Sequence, residues 1–171
     1  MRIEKSEAKR RAEYLQMFLS RTLNSELRDT LLRFFMTFSN FEAMFGEQRE
    51  LLQGSPFNNI DYSFAATAFN FFVKRYITDG NMNSKYTVAL WRGNYMNDAV
   101  SQEVEPILKN ENASGKDKVR AVYRIAYRFR DNLLHGNDGK ETSKLPEYER
   151  CFCIINDFMF QLMKQLIEEG E

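Results

Sequence analysis

The sequence holds 171 residues, in which 24 basic and 24 acidic side chains cancel and a single histidine occurs. Balanced charge excludes a global pull toward nucleic acid or membrane, so any RNA contact must come from a local patch. Apolar residues make up 43% and aromatic residues 14%, enough for a packed core, which excludes a disordered chain and suits one domain over 1–171.

The start, Arg2 to Arg11, is of mixed charge and lacks the apolar run of a signal peptide. No stretch approaches the ~20 apolar residues of a membrane span. A first helix is predicted over Lys5 to Leu23, with Tyr14, Leu15, Phe18 and Leu19 inward. A second follows Ser25, a good N-cap residue, with the stripe Leu27, Leu31, Phe34, Phe35, Phe38, Phe41 and Phe45. A third, near Asp61 to Tyr76, is apolar on more than one face, through Phe64, Ala65, Ala68, Phe69, Phe71, Phe72 and Val73. Such a helix is either central or an oligomer surface.

The region from Ser84 to Leu108 reads as helical but broken, with Gly93 and Pro106 as weak points. A fifth helix runs from about Lys116 to Leu134, where Gly136 suits a left-handed stop. The last runs from about Glu147 to Glu168, with Tyr148, Phe152, Ile155, Phe158, Met159, Leu162, Leu166 and Ile167 on one side. Cys151 and Cys153 lie in that helix, two apart, a spacing for neither a metal framework nor a good disulfide; reduced, buried thiols in a cytoplasmic protein are expected. The fold class is therefore all-α: a bundle of about five to six helices with an up-and-down core and the C-terminal helix packed on it.

Two charges fall on apolar stripes. The inward face of the fifth helix reads Val119, Val122, Tyr123, Ala126 and Leu133, and Arg130 lands in its middle. Glu42 falls within the stripe of the second helix, after Phe35 and Phe38 and before Phe45. A charge facing a core is costly unless paired or lining a cleft. Glu42 and Arg130 are therefore expected to face each other or share one polar pocket. His135, the one default proton carrier near neutrality, follows Arg130 by five residues. A continuing helix would place it ~140° away. It meets Arg130's pocket only where the helix ends near Leu134, or where the histidine comes from a second copy.

The segment Arg130-Asp131-Asn132-Leu133-Leu134-His135 resembles the R-x(4–6)-H motif of HEPN domains, named for higher eukaryote and prokaryote nucleotide-binding. The following Gly136-Asn137 is common in that superfamily. Phe38-Ser39-Asn40-Phe41-Glu42 resembles its phenylalanine-rich early helix with an embedded acid. Helix number and length agree, so the resemblance covers most of the chain. It implies a metal-independent endoribonuclease, a toxin or phage-defence effector, acting as a homodimer whose motifs meet across a two-fold axis. Carried onto this chain, it makes Arg130 and His135 the catalytic pair. Asp131 or Asn132 takes the polar position after the arginine, and Glu42 is accessory. Some toxin relatives carry a modified tyrosine two residues beyond the histidine. Here that position is Asn137, so that form of regulation is not expected.

The chemistry implied is attack of a ribose 2′-OH on its own 3′-phosphate, leaving 2′,3′-cyclic phosphate and 5′-OH ends. His135 would move the proton and Arg130 would bind the non-bridging oxygens. No metal or other cofactor is implied. RNA contacts are expected from Arg124, Arg128 and Lys140, with Lys144 beside them in the polar loop Gly136 to Leu145. Arg124 and Arg128 stand four apart on one side and also fit a solvated face. Tyr95 and Trp91 could stack on a base, though aromatics at helical spacing are more often core. An antitoxin or regulatory protein is a further expected partner; a membrane is not. Two other readings stand beside this one. The first is a non-catalytic module binding RNA, nucleotide or a protein. The second is a helical dimerisation protein in which Glu42–Arg130 is a structural pair.

Overall fold

The computed structural model describes residues 25–45, 61–135 and 145–168. The helix expected over Lys5–Leu23 and the loop bases Lys140 and Lys144 lie outside the described residues. The architecture is all-α, as expected. Five α-helices are described: α1 (Ser25–Phe45), α2 (Ala65–Tyr76), α3 (Ala99–Lys109), α4 (Gly115–His135) and α5 (Leu145–Glu168). The C-terminal helix α5 packs chiefly along α1, while α2 and α3 both pack on α4.

An aromatic column joins these two halves. Phe34 of α1 meets Phe152 of α5 edge-on at 5.1 Å, and Phe152 meets Phe129 of α4 at 5.6 Å. Phe129 faces Phe72 of α2 at 6.5 Å, and Phe72 stacks on Tyr76 at 5.6 Å. Each such ring pair adds about 0.5–1.5 kcal/mol beyond the area it buries. Among the described residues most phenylalanines thus join one continuous core, Phe160 being exposed.

The same column fixes where α2 sits. Ala65, Ala68, Phe69, Phe72 and Tyr76 are buried, and Phe64, Phe71 and Val73 pack against the core from its edge. Of the two expectations for this helix, the central position is the one found. The exposed large apolar side chains lie elsewhere, mainly Leu32, Met36 and Met44 on α1 and Phe160 and Ile167 on α5. Ile167 therefore faces outward, where the stripe placed it inward. Asn40 and Met44 line an open cleft of about 370 Å³ with Phe160, Met163 and Ile167.

Between α2 and α3 the chain breaks as predicted, but differently in detail. A two-residue ribbon, β1 (Ile77–Thr78) and β2 (Asn81–Met82), pairs antiparallel. Asp79 and Gly80 at its tip take φ of 50° and 75°, which a tight type I′ hairpin turn requires and which Asp-Gly supplies. A π-helical stretch, Lys85–Leu90, follows. The break then falls at two successive left-handed residues, Arg92 (φ 54°) and Gly93 (φ 76°). Gly93 is thus a break, as read. Pro106 is not: it sits inside α3. Its missing N–H leaves the Gln102 carbonyl without a helical donor, and Gln102 is exposed, so water can serve it.

Asp98 caps α3, accepting from the N–H groups of Val100 (3.0 Å) and Ser101 (2.9 Å). Ser114 caps α4, accepting from the N–H of Asp117 at 3.1 Å. Cys151 is buried but Cys153 is exposed. Residues two apart on a helix lie ~200° apart, so the expectation of two buried thiols fails on geometry.

Candidate functional site

Arg130 and Glu42 come together. Their side chains are 19% and 26% exposed, so the pair is half-sunk rather than solvated. Arg130 Nη2 lies 2.9 Å from Glu42 Oε1 and donates to Oε2 at 3.1 Å. Asp131 Oδ1 accepts from Nη1 at 3.3 Å. The guanidinium stands over the Tyr127 ring, 5.3 Å from its centre. Burial works against the charge of Arg130. Glu42, Tyr127 and Asp131 more than restore it, so its pKa lies above the ordinary value.

α1 and α4 have no extensive backbone-level packing. They meet through long side chains: Glu42 with Arg130, and Phe41 with Tyr123 at 5.5 Å between ring centres. The polar pair therefore bridges a seam between helices. Tyr123 is buried beneath it, and burial pushes its phenol up to about 12.

His135 is the last residue of α4, so the backbone is helical through the whole motif. That places it ~140° around the axis and ~7.5 Å along it from Arg130. Its side chain lies outside the described residues.

Asn132 ties α4 to the turn at Leu90–Gly93. Its Nδ2 donates to the Leu90 carbonyl at 3.0 Å, and its own carbonyl accepts from Arg92 Nη2 at 3.2 Å. The left-handed turn thus grips the last turns of α4. A side-chain donor on a terminal carbonyl is a C-terminal cap supplied from another element.

Arg124 and Arg128 are committed within the fold. Arg124 is 14% exposed and pairs with Glu103 of α3 at 3.5 Å, where Arg120 also pairs. Arg128 donates from Nε to the Leu90 carbonyl at 3.4 Å and stands 5.0 Å over the Trp91 ring. The face read as solvated or RNA-contacting is covered by α3 and the Leu90–Gly93 turn. Trp91 is buried core. Lys140 lies outside the described residues.

Sequence reasoning missed Tyr127, Glu103, Arg92 and the Leu90 carbonyl. Tyr127 was readable, because positions three apart on a helix are neighbours. Glu103 and Leu90 lie on other elements and carry no local signal.

Among the described residues no group of three or more His, Cys, Asp or Glu stands together as a set of metal ligands. Among the same residues no helix is long and apolar enough to cross a membrane. No family model, no curated protein and no solved structure matches this chain.

Proposed function

We propose that this protein is a metal-independent endoribonuclease of HEPN type, a toxin or phage-defence effector. Arg130 would bind the scissile phosphate and His135 would move the proton from the ribose 2′-OH. The observation that carries the reading is the half-buried Arg130 at the seam of α1 and α4, held by Glu42 and Asp131, on the helix that ends at the single histidine. Both Glu42 oxygens meet one nitrogen of Arg130, rather than the two parallel bonds of a fork-to-fork pair. A phosphate offering that fork would compete well for the guanidinium. Glu42 then acts as the resting partner that keeps the charge in place.

The reading includes a homodimer, since one histidine per chain leaves one imidazole for a reaction with two proton transfers. The exposed row Leu32, Met36 and Met44 offers area for self-association. Around α1, Leu32 stands ~80°, Met36 ~120° and Met44 ~160° from Glu42. An antitoxin or other regulatory protein belongs to the same reading, and so does a cytoplasmic location.

Arg130 already faces two carboxylates, which favours the reading of Glu42–Arg130 as a structural pair; the ribonuclease reading also stands against a non-catalytic module binding RNA, nucleotide or a protein. Cleavage of a mixed RNA pool in EDTA separates the two. The ribonuclease reading expects cleavage with cyclic phosphate ends, lost in His135→Ala and in Arg130→Ala. Folded wild-type protein that binds RNA without cutting it moves the assignment to the module.

A further inference from the structure

Cleavage by 2′-OH attack needs one group to take a proton and another to give one. The attacking and leaving oxygens lie on opposite sides of phosphorus. This chain has one imidazole. The helical backbone through His135 puts that residue ~7.5 Å beyond Arg130 along the axis of α4. On the other side of Arg130, ~4.5 Å back along the axis and on nearly the same face, stands Tyr127. Arg130 lies between the two along the axis, but His135 stands ~140° around it, so of the two only Tyr127 shares the face of Arg130.

The groups around Arg130 differ in what they can give. Glu42 and Asp131 are carboxylates paired with a guanidinium, and an ionised carboxylate only accepts. Tyr123 is a phenol, but it is buried, with Phe41 against its ring. Tyr127 is a phenol that is only partly buried, and its ring carries the Arg130 guanidinium at 5.3 Å. A phenol holds its proton at neutral pH and can donate it.

We propose that Tyr127 is a catalytic residue, the proton donor to the leaving 5′ oxygen; this rests on the ribonuclease reading above. In the step, His135 of the second copy takes the 2′-OH proton and the O2′–P bond forms. The P–O5′ bond breaks, its electron pair goes to O5′, and the Tyr127 hydroxyl supplies the proton that makes the 5′-OH. Tyr127 regains a proton from water, and His135 releases one to water. The phosphate stays on Arg130 throughout. One imidazole and one phenol then share the two proton transfers at each Arg130; α4 is helical through His135, ~140° around the axis from Arg130, so that imidazole comes from the second copy of the homodimer.

Tyr127→Phe isolates the hydroxyl, because the ring under Arg130 remains. The test compares two oligonucleotides, ordinary RNA and the same sequence with sulfur as the 5′ bridging atom at the scissile bond. A thiolate leaves without a proton. The expected result is a loss of at least ~100-fold on RNA for Tyr127→Phe, with cleavage of the sulfur substrate equal to that of the unchanged protein and an unaltered melting temperature. RNA cleavage unchanged in Tyr127→Phe overturns the proposal, and so does an equal loss on both substrates, which would make Tyr127 a positioning residue. Folded, unchanged protein inert on both substrates overturns the ribonuclease reading itself, and this assignment with it.

Discussion

Glu42 of α1 places both its carboxylate oxygens on one nitrogen of Arg130 of α4, at 2.9 and 3.1 Å, across helices with little other direct packing. A fully buried pair broken on one side costs about 3–5 kcal/mol, and an exposed pair about 0.2–1. At 19% and 26% exposure this pair falls between them. Arg130→Ala should cost on the order of 1–2 kcal/mol in urea unfolding. Combined with Glu42→Gln, it should show a coupling of about 1 kcal/mol. A coupling near 4 kcal/mol would mark a dry structural pair and count against a phosphate site.

Asn132 links α4 to the turn after the π-helical stretch through the Leu90 carbonyl, at 3.0 Å. Asn132→Ala should destabilise by about 1 kcal/mol, the usual net worth of such a bond. Arg128 Nε still reaches the same carbonyl at 3.4 Å, so that oxygen keeps a donor. The larger effect should be local. Amide exchange over the last turn of α4 should quicken more than exchange in α5. Uniform quickening across both helices would show that the link supports the whole fold instead.

The helices were legible because their signals are local. Of the stripe Leu27, Leu31, Phe34, Phe35, Phe38, Phe41 and Phe45, five are buried, Phe35 is partly buried and the side chain of Phe45 lies outside the described residues. The meeting of Glu42 and Arg130 was legible for a related reason: two opposite charges on two apolar stripes need a common solution. What local pattern cannot carry is which element covers a face. Arg124 and Arg128 look free on their own helix; only Glu103 and Trp91, from elsewhere in the chain, take them in. The ribbon escaped because strands of two residues show no alternation, although Asp79-Gly80 spelled out its turn.

Gly115, at the first turn of α4, faces the side chain of Tyr62, and a Cβ there would overlap the Tyr62 Cβ. Two effects of Gly115→Ala oppose each other. Alanine gains up to about 1 kcal/mol of helix propensity. Overpacking against a neighbour that must move costs about 1–3 kcal/mol. The obstacle is the root of a side chain rather than a flexible tip, so the steric cost should win. Gly115→Ala should therefore lower the urea midpoint. A raised midpoint would mean that the 3-10 turn Tyr62–Phe64 shifts freely.

Alkaline stability follows from the buried phenols and thiol. Burial pushes Cys151 up to about 11, and Tyr86 and Tyr123 up to about 12; Tyr76 is raised as well, chiefly by burial. Each group is neutral when protonated, and the folded protein holds the proton where the unfolded chain has released it. Stability is thus fully present below the ordinary thiol and phenol values. It falls as pH rises through about 9 to 11 for Cys151 and about 10 to 12 for Tyr86 and Tyr123. Each group contributes a slope of up to about 1.4 kcal/mol per pH unit inside its window. Urea midpoints should be level from pH 7 to 8.5 as far as these groups are concerned, then drop steeply by pH 10.5. Cys151→Ala should make the drop between pH 9 and 10 shallower. An identical profile for both proteins would show that Cys151 ionises in the folded state as readily as in the unfolded one.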